Sequence, residues 1–357
     1  ISELIKKYPR GASFLKKSFH SFQPKDTIAW FESRGVRLKA EADGRLFPVT
    51  DDSETIMQCL LQEAARYQVQ IQLRIEVVAI QARHSSTGRF ELTVSDGRKI
   101  EADAVCVTTG GFPKLEQWSW LQQTGHSIET PLPSLFTFNI PNSPLQSLMG
   151  ISLEQTEVRI KGIKASETGP LLITHWGLSG PAVLRLSAWH ARELAAQQYR
   201  FDVFINWLPG ENETGLQPAF ARYRKELAAQ KMKNRNPFQL PQRLWERLLE
   251  LAGLYPEIRW ADLPSKKQQT LIRLLCSMEL TVQGKTTFKE EFVTAGGIRL
   301  SEIDPLTMQS RLVPGLYFAG EVMDVDGITG GFNFQHAWTS GYLAAQAVAA
   351  HFNEPHS

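Results

Sequence analysis

The stretch Gly320 to Gly341, GEVMDVDGITGGFNFQHAWTSG, sets acidic residues, an adjacent glycine pair and the start of a helix in immediate succession. Gly330 and Gly331 permit close backbone approach to a ligand. The helical turn after them carries N–H groups with no intrahelical partner, at the positive end of the helix dipole. Such a place suits an anionic group or the electron-rich edge of a ring. Glu321 follows the strand-ending Gly320, where a carboxylate accepts hydrogen bonds from ligand hydroxyls. Asp324 and Asp326 read equally as further acceptors or as caps of the loop. A plain strand-loop-helix connection would need neither the paired glycines nor the paired carboxylates.

Other candidates are weaker. In THWGLSGPAVLRLS, Thr174 to Ser187, Ser179 reads as an N-cap and Pro181 as a first-turn proline, so a structural turn explains most of the segment. His175 beside this turn is the catalytic candidate, as a proton donor or acceptor. The hydrolase motif GxSxG fails here because Pro181 stands where its last glycine belongs. TAGG, Thr294 to Gly297, reads either as backbone amides offered to a ligand or as a bulge. His336, one turn into the final helix, reads as a packed or solvent-facing residue rather than a catalyst. The basic run Arg222, Arg224, Lys225, Lys231, Lys233, Arg235 is interrupted by Glu226 and reads as a solvated helix face.

The elements that position these residues follow from pattern. Helical stretches are expected at Lys25 to Ser33 and Ser53 to Tyr67. An antiparallel meander follows, with strands Ile71 to Gln81, Arg89 to Ser95 and Lys99 to Glu101, its second turn a type I′ turn at Asp96-Gly97. Ala104 to Val107 and Gly315 to Ala319 are apolar without alternation, as strands covered on both faces are. Each runs into a glycine-containing loop, where ligands of open α/β sheets collect. Strand-rich Leu135 to Phe204 and helical Gln217 to Ser277 lie between them. The expected domains are therefore 1–130 with 290–357 for nucleotide binding, 131–215 with 278–289 as a strand-rich insertion, and 216–277 as a helical subdomain.

A chain of 357 residues with 42% apolar content can bury more than one core. Its 39 Lys and Arg against 37 Asp and Glu leave a net +2, too little to steer a nucleic acid or hold a membrane surface, so neither partner is expected. Cys59, Cys106 and Cys276 offer neither a disulfide framework nor metal-ligand spacing, which fits a reducing cytoplasm. No metal is expected. No run reaches membrane-spanning length, and ISELIKKYPR is not a signal peptide.

The run VTAGGIRLSEIDPLTMQSRLVPGLYFAGEVMDVDGITGGFNFQHAWTSG, with GRLFP (Gly44 to Pro48) and THWGLSGPAVLRLS, resembles the BaiN-like, aminoacetone-oxidase-like family of flavoproteins along nearly the whole chain. The resemblance implies a glutathione-reductase-type FAD-binding domain, with an inserted β-barrel-like plus helical domain. It implies non-covalent FAD and oxidoreductase activity on a small molecule, with NAD(P)H as a plausible reductant that no second fingerprint marks. It puts Val77 beside the adenine and Thr109 and Gly110 near the dinucleotide. Gly320, Glu321, Asp326 and Gly330, Gly331, Phe332 and Asn333 fall along ribityl and ring, and Arg45 and Pro48 on the flavin side. The family's GxGxxG loop has no counterpart in this sequence, so the FAD domain is expected to be incomplete at its N-terminus. Two further readings stay open: a flavin-free binding module, and a flavoprotein acting on RNA.

Overall fold

The computed structural model describes residues 1–42, 44–85, 88–286 and 293–353, which form two compact units: 1–133 with 293–357, and 134–292.

The first unit opens with three helices, α1 (Ser2–Ile5), α2 (Ala12–Ser18) and α3 (Pro24–Glu32). α3 starts where Pro24 occupies the first turn and Gln23 and Asp26 form a capping box. The short antiparallel pair β1 (Leu38–Ala40) and β2 (Leu46–Pro48) leads into α4 (Glu54–Arg66). The meander follows as β3 (Val77–Ser85), β4 (Gly88–Val94) and β5 (Lys99–Ala102). β3 starts six residues later than the alternation from Ile71 implies, because pairing begins only at Val77 opposite Val94. The turn at Asp96-Gly97 also differs from expectation. Only Gly97 is left-handed (φ 86), so this is not type I′; Asp96 instead accepts the Arg98 N–H at 3.0 Å, as an Asx turn does. The expected first turn of the meander includes Ser86 and Thr87, which lie outside the described residues. β6 (Val105–Val107), α5 (Ser119–Gln122) and β7 (Ile128–Pro133) complete this half.

The second unit holds β8 (Thr137–Asn139), β9 (Ser152–Ile160), β10 (Ser166–Ile173), β11 (Gly177–Ser179), α6 (Pro181–Trp189), α7 (Ala191–Ala196) and β12 (Arg200–Asn206). Three helices come next, α8 (Glu213–Glu226), α9 (Gln242–Leu251) and α10 (Ser265–Ser277), then β13 (Met278–Gln283) and β14 (Lys285–Thr286). The antiparallel sheet runs β13-β12-β9-β10-β11-β8-β14. Its two ends meet at Gly284, whose N–H donates to the Tyr199 carbonyl at 2.8 Å and whose carbonyl accepts from Asn139 at 3.1 Å. Strands and helices share one apolar core, from Phe138, Val158 and Val203 on the sheet to Phe220, Trp245 and Leu275 on the helices. Of the expected strand-rich span 278–289, residues 287–289 and the expected boundary at 289/290 fall outside the described residues.

The chain then returns to the first unit. β15 (Thr294–Ile298) pairs antiparallel with β7, and β16 (Leu316–Phe318) pairs parallel with β6, Leu316 opposite Val105 and Phe318 opposite Val107. The last helix is α11 (Phe332–Asn353). The core joins Tyr8, Leu15 and Phe19 to Val107, Phe318, Val322 and Leu343. β16 is buried throughout, as expected of a strand covered on both faces, whereas β6 departs from that expectation with Cys106 exposed and Val105 half-buried; both C-terminal ends open into the loops described next.

Candidate active site

β16 ends at Phe318 and the backbone turns at Gly320 with φ 75. α11 grips this peptide from both sides: the Gly320 N–H donates to Ser340 Oγ at 2.9 Å, and His336 Nε2 donates to the Gly320 carbonyl at 3.1 Å. His336 and Ser340 are four apart and share a helix face, which lets both reach one peptide unit. A carbonyl has no proton to give, so Nε2 carries it and Nδ1 is left as a bare acceptor. That atom is buried with no described partner. Burial pushes the imidazole pKa down to about 4, against the opposing effect of the Gly320 hydrogen bond.

The next residue, Glu321, ties three segments together. Its Oε1 accepts the Thr294 N–H at 2.6 Å, and the Gly111 N–H also holds the carboxylate. Burial raises its pKa above the ordinary glutamate value, and these two N–H groups pull the other way. Gly111 follows β6, and a Cβ there would stand 2.3 Å from Thr294 Oγ1 and 3.1 Å from Glu321 Oε1, so only glycine permits this approach. Thr294 Oγ1 is buried with no described partner. The TAGG segment settles as a bulge between Ala295 and Gly297, closed against backbone on both sides. A Cβ on Gly296 would lie 2.6 Å from the Thr130 carbonyl oxygen, and one on Gly297 2.6 Å from that of Val322.

The loop into α11 is braced by side chains. Asp326 is fully buried, and both its oxygens accept from the Arg10 guanidinium, one from Nε and one from Nη2. Asn333 spans Gly327, accepting its N–H at 2.7 Å and donating to its carbonyl at 3.0 Å, while the Tyr8 hydroxyl donates to the Phe332 carbonyl at 2.7 Å. The side chains of Asp326 and Asn333 thus hold the shape of the loop. Gly330 (φ 129) and Gly331 (φ 85) follow, and Gly331 is exposed, with open space where a side chain would project. The N–H groups of the α11 first turn begin there.

The remaining candidates are placed as follows. Thr109 and Gly110 lie just beyond β6, Thr109 exposed and Gly110 left-handed with open space beside it. Val77 is half-buried at the start of β3. Arg45 is exposed with its guanidinium 5.5 Å from the Phe47 ring, and Pro48 is buried at the end of β2. His175 belongs to the second unit, exposed in the turn between β10 and β11, its ring set edge-on to Trp176 at 4.0 Å. The structure therefore joins loop 109–111, Thr294, Gly320 and Glu321, and ties them to α11 through His336 and Ser340. Arg10, Tyr8 and Ser340 were not singled out by the sequence. Ser340 was findable from its spacing to His336, whereas Arg10 meets a partner 316 residues away and carries no local signal.

Proteins similar to this chain span most of its length. It is 28% identical over 344 residues to a 3-dehydro-bile acid delta(4,6)-reductase of Clostridium scindens, covering 94% of this chain and 83% of that protein. It is 32% identical over 347 residues to a ribosomal RNA dihydrouridine synthase of Escherichia coli, covering 94% and 82%. With a protein of the same description from Haemophilus influenzae the identity is 30% over 346 residues, again 94% and 82%. The family model of the HI0933-like protein Rossmann domain matches residues 1–347, and the chain is accordingly a member of this Rossmann-type family and of its BaiN-like oxidoreductases.

Proposed function

We propose that the protein is an FAD-dependent oxidoreductase that saturates a carbon–carbon double bond conjugated to a carbonyl. The observation that carries the reading is the start of α11: uncommitted first-turn N–H groups behind an exposed, left-handed Gly331, set beyond the C-terminal end of a buried parallel strand. Bound FAD supplies the two-electron chemistry, which none of these side chains provides. The residues fit that group by donor chemistry. N–H groups from Gly331 to Asn333 suit the ring edge that gains negative charge on reduction, and the positive end of the helix dipole favours that charge. Glu321, Thr294 and Gly111 hold the loops that would flank the ribityl chain. The first unit is read as a glutathione-reductase-type FAD domain, with Val77, Thr109, Gly110, Arg45 and Pro48 along the cofactor. The second is read as an inserted barrel-like and helical domain that selects the substrate.

The double bond is inferred from what the relatives' names share. One name describes a delta(4,6) unsaturated 3-dehydro bile acid that is reduced, the other a uridine that becomes dihydrouridine. Saturation of either bond takes two electrons and two protons. His175 is the proposed proton donor to the substrate, and NAD(P)H the proposed source of electrons. A small conjugated ketone is the first reading of the substrate. A uridine within RNA is the second, favoured by the two relatives at 32% and 30% identity that bear that name. Anaerobic incubation of the reduced protein with a 3-oxo-delta(4) steroid or with a uridine-containing RNA tests both. A mass gain of two hydrogens is expected in one of them, and no gain in either would end the reading.

A further inference from the structure

The second unit carries charge that the redox site does not use. Between Gln217 and Ser277 stand twelve Lys and Arg against five Asp and Glu, a net +7 in a chain whose total is +2. The fold draws two pieces of this segment side by side. The Met232 N–H donates to the Ile258 carbonyl at 2.9 Å and the Trp260 N–H to the Gln230 carbonyl at 3.1 Å, making Lys231 and Arg259 bridge partners. Trp260 Nε1 donates to the Arg235 carbonyl at 3.2 Å, and Arg224 reaches the Ala261 carbonyl at 3.4 Å. Lys231 and Arg259, far apart in sequence, are thus brought side by side, and the Arg235 carbonyl and the Arg224 guanidinium reach the residues that follow Arg259. Lys231 is answered by Glu257, and Lys233 has Glu246 at 3.9 Å. Lys225, Arg235 and Arg259 are exposed and have no ion pair among the described residues. Tyr255, 61% exposed, lies on the segment that leads into Arg259. The core beneath, with Met232, Trp245 and Trp260, is apolar and needs none of these charges.

We propose that this face of the second unit docks RNA through its phosphate backbone, with Tyr255 offered to a base for stacking. The inference rests on the RNA reading above and deepens it by saying where the polymer is held. A solvated helix face balances its cations with acids three or four residues away, and here the acids are outnumbered by more than two to one. A small substrate with one charged group is met by one cation. An extended field of unpaired Lys and Arg beside an exposed aromatic ring is what a chain of phosphates and bases requires.

The test is binding of a short synthetic single-stranded RNA, followed by fluorescence anisotropy across a salt series. The proteins compared are the full chain, the triple variant Lys225→Glu/Arg235→Glu/Arg259→Glu, and its milder counterpart with glutamine at the same positions. We expect the glutamate variant to bind at least about tenfold more weakly at low salt, and the salt slope to fall by about two, as losing three phosphate contacts implies. Melting temperature should hold in both variants, and the glutamine variant should lie between the other two. Equal binding by the variants, no binding by the parent at low salt, or equal competition by polyglutamate and RNA would each overturn the assignment. Dihydrouridine formation in the bound RNA separates the two ideas. If the parent forms it while the variants bind as the parent does, the surface is wrong and the RNA substrate stands. If the variants lose binding and no dihydrouridine forms, the surface stands and the substrate reading fails.

Discussion

His336 and Ser340 hold a single peptide unit, Gly320, from both sides, and that peptide leads directly into Glu321. Burial disfavours the imidazolium, so the histidine holds the peptide as the neutral ring with its proton on Nε2. The pH consequence follows in sign. The unfolded histidine titrates near the ordinary histidine value of 6.5 and the folded one at about 4, so between these values only the unfolded chain holds the proton. The stabilising contribution is complete above 6.5 and is lost as the pH falls toward 4, a change of about 3 kcal/mol. Glu321 runs the opposite way, since its raised carboxyl favours the folded state as acid is added. Comparing the parent with His336→Gln isolates the histidine. The variant's melting temperature should fall less between pH 6.5 and 4 than the parent's; parallel curves would remove the buried neutral imidazole from the account.

Arg10 and Asp326 act at the same scale. Asp326 is fully buried and both its oxygens accept from the Arg10 guanidinium, so removing that cation strips charge-assisted bonds from a buried carboxylate, at a cost of about 3–5 kcal/mol. Arg10→Ala should therefore lower stability by that amount in denaturant titration. A loss within about 0.5 kcal/mol would show a pair of surface quality instead.

At the scale of elements, parallel strands β6 and β16 end together and hand the chain to loops fixed by Glu321, by the bulge in β15 and by the start of α11. The bulge is held by backbone contact, so Gly297→Ala must move Val322 as well as strain a left-handed position (φ 130). A destabilisation of at least about 2 kcal/mol is expected, read from the urea midpoint. These elements were legible where local chemistry determines them. The apolar runs around Val105 and Leu316, the glycine pair before α11 and the helix itself all showed in the sequence. What failed depended on a neighbour: the alternation from Ile71 to Glu76 is a strand pattern, yet the ladder starts only where Val94 stands opposite Val77. Asp96-Gly97 misled because the Asp96 carboxylate accepts the Arg98 N–H and only Gly97 adopts a positive φ. The bracing of the loop by the Asp326 and Asn333 side chains was not legible, because a polar residue in a glycine loop reads the same whether its partner is a cofactor or a distant arginine.

For the whole molecule, two units divide the properties. The first carries the Rossmann-type strands, the glycine loops and the buried carboxylates, and the second carries an excess of positive charge over its helices. Among the described residues no helix is long and apolar enough to cross a membrane. His175 is the proposed proton donor to the substrate. His175→Ala should lower kcat by about 10²–10⁴-fold, leaving flavin content unchanged, if it donates the proton. An unchanged kcat would leave it a turn residue beside Trp176.

The central claim is that the loops around Glu321 and the start of α11 hold a flavin. It is tested most directly by the visible absorption spectrum of the purified full-length protein, alone and after addition of FAD, beside the Gly331→Val variant. The two absorption bands of an oxidised flavin are expected in the parent, retained through gel filtration, with markedly lower occupancy in the variant, compared at a temperature where both remain folded because the left-handed Gly331 (φ 85) strains any side chain. A parent that neither carries nor takes up FAD, or a variant that retains it fully, would contradict the account.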